Sequence, residues 1–459
     1  MLSRCGRGYR ASPALPRGRR APEGDPCRKH PGTLSGVLRA VREYRERVVH
    51  PPRPAQHGPG GGGDVRPGGL VGMGGFLLGA TGMFATMYST QAILPQLGRA
   101  FHVSAASTGL TISATVAAVA IGAWLWGPWS DRHGRRPAII LASALLVLPT
   151  VGVALVPSFP LLLACRAAQG LCMPGLLTVG VPYVVEAFGP RLGGRAMGYY
   201  VVALVVGGLI GRVGVALLAG PFGWRVGLGV LAVLPALGAG TMLRSLPDVT
   251  ALRGAGVTRG ARMRQLASRR LLQASAGGAA LLFSFIGLFS YIAYRLEAPP
   301  FGLGAEIGSL IFLLWVLGAI GPVAGRWVDR WGWRRVALAC LATVLGGIVL
   351  SLPETLPAVA LGMALVALGM FAGVTAMQVG VAHAATFDRG LASSFYFSCY
   401  YSAGAVGGFV PGLAWEAWGW VGVAAVSGAA ILVAAGVLGL GRRDGGAGGT
   451  SVTAAAGSA

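Results

Sequence analysis

From Leu70 onward the chain repeats one pattern: apolar runs about as long as a helix that crosses a lipid bilayer, separated by short polar turns. A hydrocarbon core of roughly 30 Å is spanned by about 20 helical residues. Twelve such runs are legible, over residues 70–94, 106–127, 137–156, 160–184, 196–219, 223–243, 273–294, 305–325, 336–352, 357–384, 391–413 and 420–441. They are continuous and rich in Ala, Leu, Val and Gly, whereas a membrane barrel alternates apolar and polar residues in segments of about ten. Helices satisfy their own backbone, as lipid demands. The expectation is an all-α polytopic membrane protein with twelve transmembrane helices. Composition agrees, because 54% hydrophobic and 12% charged residues leave little polar surface for an ordinary soluble domain.

The formal net charge of +23 would suggest nucleic acid in a soluble chain, but its placement reports topology instead. Of the 38 Lys and Arg, Arg99, Arg225 and Arg295 alone fall at one set of loops, and Arg166 and Arg212 fall within spans. All others lie in the N-terminal segment, the alternate loops and the C-terminal segment. The positive-inside rule therefore puts both termini in the cytoplasm. The domain organisation expected is a basic, mostly disordered tail over 1–69, six spans over 70–243, a cytoplasmic linker over 244–272, six spans over 273–441 and a short tail over 442–459. Within the first tail, "GTLSGVLRAVREYRERVV" could form a basic surface helix. The run "PGGGGD" lacks the Lys-Ser/Thr and strand-to-helix setting of a phosphate loop and reads as linker. Cys5 and Cys27 lie in that tail, and Cys165, Cys172, Cys340 and Cys399 lie within spans, with no spacing that suggests a metal site or disulfide framework.

The two sets of six spans match each other. "GPWSDRHGRR" from Gly127 recurs as "GRWVDRWGWRR" from Gly325, with Asp131 and Asp329 198 residues apart. Pro157 pairs with Pro353, Gly207-Gly208 with Gly407-Gly408, and "FGW" at 222 with "WGW" at 418. Near-equal offsets at four places indicate a duplication. Six crossings per copy keep both copies in the same orientation, a parallel repeat about an axis along the membrane normal.

With these residues the sequence resembles the major facilitator superfamily, whose loop between the second and third helices carries Gly-x-x-x-Asp-Arg-x-Gly-Arg-Arg/Lys. The matching positions are Gly127, Asp131, Arg132, Gly134, Arg135 and Arg136. The degenerate second copy uses Gly325, Asp329, Arg330, Gly332, Arg334 and Arg335, with Trp333 replacing the first basic residue. Arg166, Gln169 and Gly170 match the family's Arg-x-x-Gln-Gly in the fourth helix. "YRLEAPPFGLG" from Tyr294 and "GGLIGR" from Gly207 are similar to the bacterial branch of drug or metabolite exporters of the acriflavine-sensitivity type. The resemblance implies two pseudo-symmetric six-helix bundles that rock about a central site in alternating access, in a bacterial plasma membrane. It also implies a conformational latch: Asp131 paired with a neighbouring arginine and set against the start of the eleventh helix near Arg389 to Leu391, and Asp329 facing the start of the fifth near Arg195. In the antiporter subgroup the fifth helix carries Gly-Pro-x-x-Gly-Gly; here Arg212 stands where that proline would, and the glycine pair is lost.

Ionisable residues inside a span are costly and so are functional candidates. The 15 acids all lie in the tails, in loops or at helix ends, so a carboxylate-based proton relay has no obvious carrier. Arg166 and Arg212 lie at similar depth on adjacent helices and are the candidates to bind an anionic group or tune a proton site. Polar and aromatic candidates at substrate depth are Tyr88, Gln91, Gln169, Tyr199, Tyr200, Gln378, Tyr396 and Tyr400, the last two sharing a helix face. No nucleophile-base pair or nucleotide fingerprint is present, so the chain is not expected to be an enzyme. The function expected is secondary transport of a small organic molecule, exported in exchange for protons. One alternative is uptake or exchange of an organic anion recognised by Arg166 and Arg212, and another is a non-transporting membrane sensor on the same fold. No cofactor is expected beyond the proton as coupling ion. The partners expected are a small-molecule substrate and the bilayer, without nucleic acid, for a chain acting as a monomer.

Overall fold

A computed structural model describes residues 67–248, 264–385 and 389–440. The basic helix and glycine linker read in the first tail, most of the linker between the halves and the C-terminal tail lie outside these residues. Every regular element among the described residues is helical. The first span, α1, is Pro67–Met87, resumed after a turn by Gln91–Ile93 and Leu94–Phe101. There follow α2 (Ala105–His133), α3 (Arg135–Leu155), α4 (Phe159–Val184), α5 (Arg195–Phe222), α6 (Trp224–Ser245), α7 (Arg269–Glu297), α8 (Ala305–Trp331), α9 (Trp333–Leu350) and α10 (Leu356–Ala384). The last apolar stretch, Gly390–Gly439, bends at Gly419 (φ 58°, ψ −144°) into α11 and α12. The twelve-span architecture is therefore present, with α7 starting four residues earlier than the apolar run implies.

Local signals fix the ends. Ser104 caps α2 by accepting the Ser107 N–H at 3.3 Å. Prolines occupy the first turns of α4 and α10, where no donor is needed. The charged stretch from Gly127 to His133, expected as a loop, is the last two turns of α2. The chain reverses only at Gly134, with φ 99° and ψ 156°, and its counterpart Gly332 repeats that conformation with φ 80° and ψ 146°. Both φ values lie where side chains are disfavoured, so the motif glycine is required by the turn itself.

The duplicated glycine pairs also pack alike. A Cβ on Gly207 of α5 would lie 2.3 Å from the Thr81 carbonyl oxygen of α1, and one on Gly407 of α11 would lie 2.5 Å from the Phe283 oxygen of α7. With no hydrophobic force between helices in lipid, such close backbone approach is what holds them together. The next residue in each copy faces the other half: Gly208 lies against Trp315 of α8, and Gly408 against Ser113 of α2. The seam between the six-helix halves thus runs along α2 against α11 and α5 against α8.

Candidate functional site

Of the spans that leave regular α-helical geometry, α1, α5 and α8 do so at this seam. α1, expected to be continuous over 70–94, stops at Met87; Tyr88 to Thr90 form a turn, and the helix restarts at Leu94 with Pro95 in its first turn. α5 widens to a π-turn over Ile210–Gly214. α8 runs as a 3-10 helix over Ser309–Ile320, far longer than such runs usually extend. Non-helical backbone inside lipid persists only where protein or a water-filled site satisfies the freed groups.

Arg166 satisfies those of α1. Its Nη1 donates to the Thr86 carbonyl at 2.8 Å and its Nη2 to the Met87 carbonyl at 2.7 Å, the terminal acceptors of the first helical segment. Nε donates to the Thr111 carbonyl of α2 at 3.0 Å. Nη1 also donates to Gln169 Oε1 at 2.7 Å, while Gln169 donates to Thr150 of α3 at 3.1 Å. The side chain is fully buried, and its charge faces the negative end of a helix dipole. One guanidinium fork thus binds α1, α2 and α4, with Gln169 extending the link to α3.

Arg212 is equally buried but differently placed. Its Nε donates to Gln91 Oε1 at 2.7 Å and its Nη1 to the Gly208 carbonyl at 2.8 Å. The guanidinium lies 3.9 Å from the Trp315 ring centroid, 4.5 Å from Tyr88 and 5.6 Å from Phe312. Three residues per turn in the 3-10 segment stack Phe312 and Trp315 on one side of α8, which brings both rings from the second half onto a cation of the first. Phe285 and Phe371 pack on Trp315 at 5.1 and 5.2 Å. Nη2 is buried without a hydrogen-bond partner, and no carboxylate pairs with Arg212 among the described residues. The two arginines therefore bracket the break in α1 with separate sets of acceptors, instead of converging on one.

Gln91 carries the link across the seam, donating to Ser290 Oγ of α7 at 3.1 Å. Tyr396 and Tyr400 do share a helix face, with ring centroids 5.7 Å apart. The Tyr396 hydroxyl is buried without a partner among the described residues, and the Tyr400 ring also meets Tyr401 edge-on at 5.3 Å. Tyr200 is buried inside the first half, stacked on Phe76 at 5.4 Å and donating to the Leu176 carbonyl at 3.2 Å. Its neighbour Tyr199 is 55% exposed, and Gln378 is also exposed, so neither joins the cluster. Depth along a span was legible for these two, but the side they face was not. Trp315 and Phe312 were missed, although a tryptophan in mid-span, away from the interfacial belts, was a usable signal.

The ends of the seam differ. At the end away from the arginine-rich turns, Glu416 of α11 accepts the Ala106 N–H of α2 at 2.7 Å, and Arg99 pairs with Glu297. There too the Thr108 and Tyr294 hydroxyls meet at 2.8 Å, and Tyr294 donates to the Leu94 carbonyl at 3.2 Å. At the arginine-rich end, Arg135, Arg136 and Arg334 make hydrogen bonds within their own halves. Arg135 holds Glu186 in two hydrogen bonds, 2.5 and 2.9 Å, and Arg136 donates to the Leu243 carbonyl at 3.1 Å and lies 3.5 Å from Asp248. Asp131 is 68% exposed and 4.0 Å from Arg135 in its own turn. Arg334 donates to Gln273 of α7, while Arg132, Asp329, Arg330 and Arg335 are exposed.

Comparison with known proteins gives this architecture its lineage. The family model described as "Major Facilitator Superfamily" matches residues 76–408. An uncharacterized MFS-type transporter of Bacillus subtilis, YybF, is 30% identical over 359 residues, covering 76% of this chain and 88% of the relative. The inner membrane transport protein YnfM of Escherichia coli is 30% identical over 348 residues, covering 74% and 83% respectively. Among solved structures, a bacterial homolog of the human lysosomal transporter Spinster, in an inward-facing and occupied conformation, superposes with a TM-score of 0.67 at 17% identity, over 81% of this chain and 96% of that one. Twelve spans in two matched halves, a seam closed at one end, and these matches have one conclusion: the chain belongs to the major facilitator superfamily, as a multi-pass membrane transporter that works by alternating access, not an enzyme.

Proposed function

We propose that the protein moves a small organic anion across a bacterial inner membrane, with the arginine-rich end and both termini in the cytoplasm. The observation that carries this reading is Arg212: a buried guanidinium at the seam, without a carboxylate, held among aromatic rings with one N–H unused. A permanent cation in such a setting attracts a carboxylate or other anionic group, and flat aromatic faces around it suit an apolar body. Arg166 acts as the positioning residue that keeps α1 broken beside the site. The contacts of Glu416 with Ala106 and of Arg99 with Glu297 close the end away from the arginine-rich turns, which supports reading this as an inward-facing state. When the molecule rocks outward, Asp131 and Asp329 engage the starts of α11 and α5 and latch the cytoplasmic end.

A second reading is export of a drug-like molecule in exchange for protons. It is favoured by 31% identity over 175 residues, 38% of this chain and 42% of the relative, with the multidrug resistance protein MdtM of Salmonella typhimurium. Purified protein in liposomes, supplied with panels of organic anions and of cationic dyes with and without a pH gradient, separates the two. Saturable anion flux supports the first reading; flux of dyes alone, driven by the pH gradient, supports the second. Failure of both panels would contradict both readings and favour a sensor.

A further inference from the structure

Gln91 holds two partners at once. Its Oε1 accepts the Arg212 Nε–H at 2.7 Å, and its Nε2 donates to Ser290 Oγ of α7 at 3.1 Å. Arginine only donates, so the amide oxygen has to face Arg212 and the amide nitrogen Ser290. All three side chains are fully buried. The backbone of Gln91 belongs to the 3-10 turn Gln91–Ile93, held by the Gln91 N–H on the Tyr88 carbonyl at 3.0 Å and the Ile93 N–H on the Thr90 carbonyl at 3.1 Å. The side chain is therefore free to leave either partner without remaking the helix break.

A carboxylate docks on a guanidinium through a pair of hydrogen bonds, either to Nη1 with Nη2 or to Nε with Nη2. Each edge of Arg212 is half taken: Nη1 donates to the Gly208 carbonyl at 2.8 Å and Nε to Gln91, while Nη2 is buried without a partner among the described residues. The Gly208 carbonyl is helix backbone and stays where it is. Gln91 is a side chain and can swing aside. A carboxylate that takes the edge of Nε and Nη2 displaces Gln91 and satisfies the idle Nη2 donor in the same step. An ionised acceptor also holds a guanidinium more strongly than a neutral amide oxygen does.

We propose that Gln91 is a bridge that the transported anion displaces: the carboxylate takes Nε and Nη2 of Arg212, and the released Gln91 gives up Ser290 across the seam. The inference rests on the reading of Arg212 as the anion's contact. A buried amide oxygen without a donor is costly, so the freed side chain turns to find one and its hold on α7 goes with it. α1 and α7 are also joined by the Tyr294 hydroxyl on the Leu94 carbonyl at 3.2 Å and by Arg99 with Glu297, and Gln91 lies deeper than both. A ligand shifts a conformational equilibrium only by binding one state better. Here the anion displaces Gln91 in the closed seam and meets no competitor once the bridge is open, so occupancy favours opening the closed end.

The test uses the full chain in detergent, with benzoate as the probe anion and folding checked by heat stability. Spin labels on Ser158→Cys and Thr355→Cys, in a background lacking the native cysteines, report opening of the closed end by double electron–electron resonance. Both positions are exposed, just before α4 and α10. Gln91→Met keeps the length of the side chain and removes both bonds of the bridge. Without benzoate it is expected to raise the open share about two- to tenfold, and calorimetry is expected to show benzoate binding tighter by about the same factor. A residue that only packed would not tighten binding when replaced. Ser290→Ala cuts the far end of the bridge alone and is also expected to raise the open share. Undiminished benzoate binding by folded Arg212→Gln would overturn the Arg212 reading and this proposal with it. Binding lost in Arg212→Gln but not tightened in Gln91→Met would overturn the displacement alone. An unchanged open share in both ligand-free variants would overturn the bridge whatever benzoate does.

Discussion

The carboxylate of Glu416, near the end of α11, accepts the backbone N–H of Ala106 in the first turn of α2 at 2.7 Å, joining the two halves of the molecule. A negative charge at a helix N-terminus is stabilised by the dipole as well as by the hydrogen bond. It mirrors the contact expected for Asp131 at the opposite end, with the donor and acceptor halves exchanged. An alternating-access protein needs one such closure at each end, engaged in turn.

Glu416→Gln keeps the size of the side chain and removes its charge. Charge-dipole contacts of this kind contribute roughly 0.3–1 kcal/mol, up to about 2 when partly buried, so the closed state should lose about two- to thirtyfold in relative population. A cysteine at Ser290, fully buried at the seam, reports this in a background lacking the native cysteines. Labelling by an impermeant maleimide from the Glu416 side is expected to speed up by that factor. An unchanged rate would show that the contact does not close the seam.

Arg166→Ala removes the donors to the Thr86, Met87 and Thr111 carbonyls at once. The Thr86 and Thr111 carbonyls keep the hydroxyl donors of Ser89 and Thr115, so the acceptors left orphaned are the Met87 carbonyl and Gln169 Oε1. At about 1–3 kcal/mol each, a loss of at least about 2 kcal/mol is expected. It should appear as a large drop in the midpoint of heat aggregation in detergent. Lysine offers a point charge in place of a fork and should recover only part of the loss. Arg212→Gln, by contrast, should lower transport with the folded yield largely kept, because its guanidinium leaves one donor unused.

Gly207→Ala and Gly407→Ala place a methyl within 2.3 and 2.5 Å of backbone oxygen on α1 and α7. Both should lower thermal stability, by similar amounts if the duplication governs the packing. Gly436→Ala, where nothing lies within 4 Å, should be neutral or slightly stabilising, because alanine is the better helix former by about 1 kcal/mol. Loss at all three positions would argue against close helix approach as the cause.

The spans, their duplication and the seam glycines were legible because each is a local or periodic property of the chain. The helix break at Tyr88 was not, because its cause is Arg166, about 80 residues away, which takes up the Thr86 and Met87 carbonyls. Arg166 and Arg212 looked equivalent by depth, and only their neighbours distinguish them: helix-end carbonyls for one, aromatic faces for the other. Tyr199 and Tyr200 show the same limit at one-residue scale, since adjacent helical residues point about 100° apart. Glu297 and Glu416 read as ordinary loop or helix-end acids, because nothing in a single sequence says that Arg99 and Ala106 come from the other half to meet them.

The central claim is that Arg212 recognises the transported anion. It is tested most directly by the affinity of a transported organic anion for the purified protein and for Arg212→Gln, measured by calorimetry on samples whose folding is checked by heat stability. Loss of a buried charge-assisted contact should weaken binding by about ten- to a hundredfold, with Arg212→Lys in between. Undiminished affinity in a folded Arg212→Gln protein would contradict the account.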